Sequence, residues 1–349
     1  MHNLLTEIQN KIDAYVSDNK LPSITVGIVD KQQYYQCQSG YQQVVPTKLG
    51  LQQNAIYDLA SLSKVTATLL MILKLLEDGN ITLDDRVCKY LPEFRYSDVT
   101  ILNLLVHTSG LAADDKNYRL CHDKNEMTAF LYQLTQLHPT GSKVVYSCFN
   151  YILLGFIIEQ LKSDMESYSK QVIFDPLNMK YTGYNPNKKG WKERCVATEV
   201  TAERGVIKGE VHDGKAYLLG GVAGNAGVFS TADDLSHLAM MLLNGGLYHG
   251  KTVFKPSTIA LLRNCYTEGL NERRSLGWFF SDPYCQFARE EVKECLYHTG
   301  FTGTSMYIDY DHDCSIIILT NRIHPTRENA YIMDIRKELH GMIINSFIK

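Results

Sequence analysis

Apolar residues recur at different spacings along the chain, and the spacing predicts strands near both ends with helices between them. Apolar side chains three and four residues apart predict a helix over residues 4–16. The segments SITVGIVD (23–30) and QQYYQCQSGYQQV (32–44) follow it. Both are rich in β-branched and aromatic residues and are separated by polar ones, which is typical of antiparallel strands.

Helical patterns dominate the middle of the chain, and strand patterns return after it. The helices of the middle part are predicted at residues 100–110, 125–137, 151–163 and 231–246. The later strands are predicted at residues 276–281, 296–300, 304–311 and 314–321, with a last helix at 327–347.

This order predicts an α/β (α+β) fold, in which an antiparallel sheet is flanked by the N- and C-terminal helices and a helical domain is inserted between its strands. We expect residues 1–78 and 266–349 to form the discontinuous sheet domain. Residues 79–265 are expected to form the mostly helical domain. The active site is expected in the cleft between them.

The composition is that of an ordinary globular protein, and it argues against two kinds of partner. Of 349 residues, 45% are hydrophobic and 21% are charged, and the formal net charge is -3. Such a balance gives no reason to expect nucleic acid or an anionic membrane surface as a partner. No apolar run approaches the roughly 20 residues needed to span a bilayer.

The cysteines and the N-terminal segment predict a cytoplasmic protein. The nine cysteines are odd in number and include no CxxC pair, so neither a zinc knuckle nor a thioredoxin-type motif is indicated. The first 20 residues have helical spacing rather than the apolar core of a signal peptide. We therefore expect reduced thiols.

Several common catalytic motifs are absent from the sequence. GxSxG, HExxH, GxxxxGK[ST] and GxGxxG do not occur, and no cluster of metal-ligand residues stands out. Neither a cofactor nor a metal is predicted.

A Ser-x-x-Lys tetrad remains as candidate chemistry. At helical pitch the two side chains share a face, and a desolvated lysine with a lowered pKa could take the serine proton. The chain contains this tetrad four times. Only Ser61 and Lys64 open a strongly apolar helix. The alternative is that Ser61 caps the helix and Lys64 extends to solvent.

Two further elements accompany the tetrad. Tyr146 stands just before a predicted helix, where its hydroxyl could point out of the helical domain, although alone it is more typical of a packing aromatic. The strand that contains His298, Thr299 and Gly300 could form one wall of a cleft, although His298 alone is more typical of a surface strand.

Taken in this order, the three elements resemble the serine β-lactamase and penicillin-binding protein superfamily, whose pattern is SxxK, YxN and then KTG or HTG. The resemblance is closest to class C β-lactamases and the related esterases and D-alanyl peptidases. The phrases LLVHTSGL, VHDGKAYLLGGVAGNAGVFSTADDL and LTNRIHPTR are similar to the same family. The similarity extends over nearly the whole chain.

The resemblance implies a role for each matching residue. Ser61 would be the acylated nucleophile, and Lys64 would hold its proton network. Tyr146, as a phenolate or through Lys64, would be the general base and then the proton donor to the leaving group. His298 would orient Tyr146 or a substrate carboxylate. The N–H groups of Ser61 and Phe301 would form the oxyanion hole, and Thr299 and Gly300 would line the substrate site.

One departure from the family pattern changes the expected substrate. The second motif reads Tyr-Ser-Cys, so Cys148 replaces the amide side chain that usually contacts a penicillin or peptide, and a thiol is a weaker hydrogen-bonding group. Asn150 is a possible substitute for that amide.

The sequence therefore favours a serine acyl-hydrolase, most of all an esterase for small acyl substrates. The alternatives are a D-alanyl-D-alanine carboxypeptidase or β-lactamase, and a catalytically silent binding or scaffold protein of the same fold. The sequence does not give the oligomeric state.

Overall fold

The structure is a computed structural model that describes residues 1–281 and 292–347. Within these residues the α-helices are α1 (His2–Ser17), α2 (Leu69–Glu77), α3 (Ile101–Leu105), α4 (Lys124–Tyr132), α5 (Cys148–Lys162), α6 (Met165–Ser169), α7 (Gly214–Leu218), α8 (Ala232–Leu243), α9 (Pro256–Ala260) and α10 (Ile332–Phe347). No helix in the described part is long and apolar enough to cross a membrane.

The strands of the described residues form one large sheet and several small ones. They are β1 (Ser23–Asp30), β2 (Tyr34–Gln43), β3 (Leu49–Gly50), β4 (Tyr57–Asp58), β5 (Gly183–Tyr184), β6 (Ala197–Thr201), β7 (Gly205–Lys208), β8 (Val228–Ser230), β9 (Leu247–Tyr248), β10 (Lys251–Thr252), β11 (Phe279–Phe280), β12 (Cys295–Thr299), β13 (Ser305–Asp309) and β14 (Cys314–Thr320).

The large sheet joins strands from both ends of the chain. Its order is β11-β12-β13-β14-β1-β2-β3, and every neighbouring pair is antiparallel. The predicted fold class is therefore confirmed. The division into domains at residues 78 and 266 stays a prediction.

Helices cover both faces of this sheet, which explains why four successive residues of β14, 316–319, are apolar. Ile316 and Ile318 belong to one hydrophobic cluster with residues of α1 and α10. Ile317 and Leu319 point to the other face and belong to a second cluster with residues of α2, α5 and α8. A strand that is buried on both faces reads as a continuous apolar run rather than as an alternating one.

Some predicted elements are shorter in the structure than in the sequence pattern. α10 begins at Ile332 rather than at residue 327. Asn329, in the intervening segment, donates a side-chain hydrogen bond to the carbonyl of Lys20 and accepts one from Arg322 on its own carbonyl. These contacts hold the segment outside the helix. α3 ends before His107, whose φ of +60° is incompatible with a helix.

Candidate active site

Ser61 lies at a sharp change of direction that follows β4. β4 pairs with β8, and the N–H of Leu59 then donates to the carbonyl of Val228 at 3.0 Å. Ala60 has a φ of +47°, a conformation that costs free energy for a residue with a side chain. The Asp58 carboxylate accepts a hydrogen bond from the Ala60 N–H at 2.8 Å, which stabilises this conformation. Ser61 is consequently held at the end of a rigid segment.

Lys64 is fully buried beside Ser61. Its Nζ donates to Ser61 Oγ at 2.9 Å and to the Asn225 carbonyl at 2.9 Å, and it lies 3.6 Å from Cys148 Sγ. The SxxK tetrad at Ser61 thus forms the predicted contact. Ser61 remains partly exposed, so a substrate can reach its hydroxyl.

The protonation of Lys64 differs from the expected neutral amine. Burial acts to lower the pKa of Lys64, but the charges of Cys148 and Tyr146 and a hydrogen bond with Tyr146 outweigh burial, so its pKa is raised. Lys64 is therefore an ammonium group at neutral pH. The prediction of a lysine with a lowered pKa is wrong, because the groups that raise the pKa of Lys64 come from a distant part of the chain.

Tyr146 and Cys148 lie at the N-terminus of α5. The Ser147 side chain caps the helix by accepting a hydrogen bond from the Phe149 N–H at 3.2 Å. Tyr146 therefore precedes the helix, as predicted, and its ring centroid lies 5.1 Å from Lys64 Nζ. Cys148, the first residue of α5, brings its thiol into contact with Lys64.

His298 lies on β12 as a neutral side chain. Its Nδ1–H donates to the Thr299 carbonyl at 2.9 Å, and its buried Nε2 has no hydrogen-bond partner. Burial, reinforced by the nearby charges of Lys64 and Arg274, holds the pKa of His298 well below its usual value. His298 therefore supplies no positive charge at neutral pH, although its ring lies 6.0 Å from that of Tyr146.

The turn after β12 is tied to the segment before Ser61. Thr302 Oγ1 donates to the Asp58 carbonyl at 2.8 Å, and Thr304 Oγ1 donates to the Leu59 carbonyl at 3.0 Å. Gly300 is required here, because a Cβ atom would lie 2.4 Å from the Leu59 carbonyl oxygen. The two segments that would supply the oxyanion hole are thus fixed to each other.

A cavity of about 500 Å³ collects most of the predicted site residues. Its lining includes Ser61, Tyr146, His298, Thr299, Gly300 and Phe301. A larger cavity of about 640 Å³ lies elsewhere, between residues 13–48 and 324–329, and contains none of them. The smaller cavity is therefore the candidate active site.

Asn150 is not part of this lining. It is fully buried, its Oδ1 accepts from Ser109 Oγ at 2.6 Å, and its Nδ2 lies 3.1 Å from His107 Nδ1. The idea that Asn150 replaces the missing amide is therefore wrong. Its side chain positions His107 instead.

Sequence reasoning missed several residues of the site. His107 packs against Tyr146 with ring centroids 4.6 Å apart, and burial holds its pKa well below the usual value. Its place in LLVHTSGL was the available signal. Asn225 stands in VHDGKAYLLGGVAGNAGVFSTADDL, but the contact of its carbonyl with Lys64 depends on the tertiary fold. The side chain of Arg274 had no local signal.

No group of three or more His, Cys, Asp or Glu side chains within residues 1–281 and 292–347 is arranged to hold a metal ion.

Comparisons with known proteins agree with this fold. A profile of the Beta-lactamase family matches residues 8–339. A protein of Salmonella agona (strain SL483) named "Putative D-alanyl-D-alanine carboxypeptidase" is 32% identical to this chain. The similarity covers 95% of this chain and 85% of that protein.

Solved structures with lower identity share the fold. A penicillin-binding protein homologue from Caulobacter crescentus is 18% identical with a TM-score of 0.78, over 99% of this chain and 97% of that chain. EstCE1, described as a hydrolase with promiscuous acyltransferase activity, is 21% identical with a TM-score of 0.76, over 98% of each chain.

These relatives define the class: the protein is a hydrolase with the fold of the penicillin-binding proteins. The chain belongs to the beta-lactamase family. The resemblance inferred from the sequence motifs is confirmed.

Proposed function

We propose that the protein hydrolyses small esters through an acyl-enzyme on Ser61. The observation that carries the proposal is the 2.9 Å contact between Lys64 Nζ and Ser61 Oγ, in a cavity that Tyr146 also lines. A serine with an adjacent proton acceptor and a cation is an activated nucleophile. The family membership of the chain supports this chemistry.

In the proposed acylation, Ser61 Oγ forms a bond to the acyl carbon and its proton passes to the Tyr146 phenolate. The bond to the leaving-group oxygen then breaks, and that oxygen takes the proton from Tyr146. In deacylation, water attacks the acyl carbon and loses a proton to Tyr146. The bond between Ser61 Oγ and the acyl carbon then breaks, the acid leaves, and Ser61 Oγ takes the proton from Tyr146.

Lys64 supports these steps as a permanent ammonium group. A buried cation 5.1 Å from the Tyr146 ring stabilises negative charge on the phenolate. It also fixes the position of Ser61 Oγ. The oxyanion of the tetrahedral intermediate would bind the N–H groups of Ser61 and Phe301, whose segments are tied by Thr302 and Thr304.

Cys148 favours esters over amides in this proposal. A thiol at the position of the usual amide offers a peptide or β-lactam a weaker contact, whereas an ester has an intrinsically better leaving group. The structural similarity to EstCE1 is compatible with this choice. The substrate would be a small molecule, and the cytoplasmic location stays a prediction.

The second candidate is a D-alanyl-D-alanine carboxypeptidase. It is favoured by the name of the Salmonella relatives, which share 32% identity over most of the chain. Both candidates use the same nucleophile, so only their substrates distinguish them.

Steady-state turnover tests the proposal. The purified protein should hydrolyse a short-chain aryl ester, and Ser61→Ala should reduce kcat by about 10³-fold or more, since little remains without the nucleophile. Ser167→Ala, in another Ser-x-x-Lys tetrad that is exposed on α6, is the matched control and should retain full activity.

Three results would contradict the proposal. Turnover of a D-alanyl-D-alanine peptide faster than that of every ester would favour the carboxypeptidase. Full activity of Ser61→Ala, or inertness of the wild type towards all acyl substrates, would exclude Ser61-dependent hydrolysis.

A further inference from the structure

His107 contacts the chain on both sides of Tyr146. Its backbone carbonyl accepts a hydrogen bond from the Val145 N–H at 2.8 Å, and its side-chain Nδ1 accepts one from the Ser147 N–H at 3.3 Å. The imidazole ring lies against the Tyr146 ring, with the two centroids 4.6 Å apart. One residue therefore holds both neighbours of the proposed base and also packs against its side chain.

The backbone conformation of His107 is part of this arrangement. α3 ends at Leu105, and the φ of His107 is +60°. This left-handed conformation costs free energy for a residue with a side chain, and such strain is concentrated at functional sites. The turn it makes lets the carbonyl and the side chain of one residue reach the same segment, 145–147.

The hydrogen bonds around His107 fix the position of its proton. The Ser147 N–H can only donate, so His107 Nδ1 is an unprotonated acceptor. A side-chain chain of donors agrees: the Leu111 N–H donates to Ser109 Oγ at 3.2 Å, and the Ser109 hydroxyl donates to Asn150 Oδ1 at 2.6 Å. The Asn150 amide N–H then faces His107 Nδ1 at 3.1 Å. The proton of His107 is therefore on Nε2.

His107 also stays neutral. It is fully buried, and burial, reinforced by the charges of Arg274 and Lys64, holds the pKa of His107 well below its usual value. A second proton would have to bind Nδ1, towards which two N–H donors already point. The ring therefore keeps one protonation state and one tautomer while Tyr146 gains and loses its proton in the proposed reaction.

Tyr146 depends on contacts of this kind because it precedes α5 and lies outside regular structure. A general base has to lie within hydrogen-bond reach of the proton that it takes, and a displacement of about 1 Å can cost a factor of about 10² in rate. Without His107 Nδ1, the buried Ser147 N–H would lose its acceptor, and the segment around Tyr146 would have to shift.

We propose that His107 is a positioning residue for Tyr146, which holds the phenol where it can take the Ser61 proton through two backbone hydrogen bonds and a ring contact. His107 exchanges no proton itself during the reaction. This inference rests on the proposed function, in which Tyr146 is the base. It adds to that function a residue that sets the rate without contacting the substrate.

A double-mutant cycle with a fluorogenic aryl ester tests the inference. His107→Leu removes the acceptor and the ring, and it should lower kcat by about 10- to 100-fold with KM within about threefold of the wild type. In a Tyr146→Phe background, where the base is already lost, the same substitution should lower kcat by less than about threefold further. A residue that only supports the fold would reduce activity equally in both backgrounds.

His107→Asn is the variant expected to restore activity. The side-chain oxygen of asparagine lies as many bonds from Cα as Nδ1 of histidine, so it can accept the Ser147 N–H, and asparagine tolerates a positive φ. Its kcat should lie within about fivefold of the wild type. If His107→Leu does not fold, His107→Gln takes its place in the cycle, since its amide lies one bond further from Cα.

His340→Leu is the matched control. It removes another fully buried imidazole that packs near two tyrosine rings, those of Tyr297 and Tyr307, with centroids 5.7 and 5.6 Å away. Its kcat should equal that of the wild type, even where urea unfolding shows that both Leu variants are destabilised to the same extent.

The outcomes separate this inference from the proposed function. Equal losses of kcat in the two backgrounds, full activity of His107→Leu, or no recovery in His107→Asn would overturn the role of His107 while leaving ester hydrolysis by Ser61 intact. A rise in KM with kcat unchanged would overturn it as well. Full activity of Tyr146→Phe, or a wild type that hydrolyses no aryl ester, would instead be a failure of the proposed function.

Discussion

The protonation of Lys64 determines which residue of the site can act as the base. It is buried beside Ser61, yet its pKa is raised rather than lowered, because Cys148 and Tyr146 outweigh the effect of burial. A protonated lysine cannot accept the serine proton. Tyr146 is therefore the proposed base, and Lys64 stabilises negative charge and holds Ser61 Oγ in position.

Replacement of this lysine should remove most of the activity. Lys64→Met is expected to reduce kcat for an aryl ester by about 10²- to 10⁴-fold, because the cation that holds Ser61 and stabilises Tyr146 is lost. The matched control is Lys170→Met, the lysine of an exposed tetrad that pairs with Asp175. Steady-state kinetics that gave both variants equal activity would contradict the role of Lys64.

Cys148 should set the balance between esters and peptides. Cys148→Asn is expected to raise kcat/KM for a D-alanyl-D-alanine peptide about tenfold relative to that for an aryl ester, because an amide adds hydrogen bonds that the thiol lacks. Cys148→Ala is the control, and its ester turnover should stay within about threefold of the wild type. Loss of ester turnover in Cys148→Ala would instead mean that the thiol takes part in catalysis.

The residues of the site differ in how far the sequence predicts them. Ser61, Tyr146 and His298 stand in recognisable motifs, and the structure brings them to one cavity. The raised pKa of Lys64 was not predictable, since it depends on a cysteine that lies 84 positions away in the chain. Arg274 stands in no motif, and its place in the cavity wall follows only from the fold.

Among the elements of the fold, two segments joined by side-chain hydrogen bonds position the site. The turn after β12 and the segment between β4 and Ser61 are joined by the hydroxyl groups of Thr302 and Thr304, both of which are buried. These bonds set the separation of the two N–H groups proposed for the oxyanion hole. A small change in that separation affects the transition state more than the bound substrate.

A substitution in this connection should therefore change kcat more than KM. Thr302→Val is expected to lower kcat for an aryl ester about 3- to 30-fold with KM nearly unchanged, and Thr302→Ser should restore most of it. Thr198→Val is the matched control, because it removes a similar buried bond to the Ile207 carbonyl at 3.2 Å in another sheet. The contrary result is a thermal midpoint of unfolding that falls equally in Thr302→Val and Thr198→Val while kcat changes in neither variant. That result would mean that the Thr302 hydrogen bond has only a structural role.

The sequence pattern predicted long elements better than short ones. β1, β2, β13 and β14 follow the predicted segments, because their apolar residues face two covered sides of one sheet. β4 has two residues, and its partner β8 lies about 170 positions further along the chain. No local pattern reveals such a pairing, although it is what positions Ser61.

At the scale of the whole molecule, the burial of histidines links stability to pH. His107, His298, His324 and His340 are all buried, and burial lowers the pKa of each. The unfolded chain binds protons on these side chains below a pH of about 6.5, whereas the folded chain binds them only at lower pH. Stability should therefore be complete above that pH and should decrease as the pH falls.

His340 allows this effect to be measured on one residue. Its pKa is lowered to about 3 by burial and by the nearby charge of Arg336. Linkage then gives a loss of about 2 kcal/mol in the free energy of unfolding between pH 7.5 and pH 5. Urea unfolding gives the free energy of unfolding at each pH. The difference between the two pH values should be about 2 kcal/mol smaller in His340→Leu than in the wild type.

The exposed His122 provides the control for this measurement. In His122→Leu the difference between the two pH values should equal that of the wild type. An equal pH dependence in the wild type and His340→Leu would show that His340 takes up a proton in the folded protein.

The central claim is that Ser61 becomes acylated, and mapping the acyl group tests it most directly. The protein would be mixed with a slowly hydrolysed aryl ester, quenched in acid within the first turnovers, and examined by intact mass and peptide mapping. We expect one acyl group per chain, on the peptide that contains Ser61, and no such adduct in Ser61→Ala. An acyl group on Cys148, or rapid ester turnover with no adduct at any time, would contradict it.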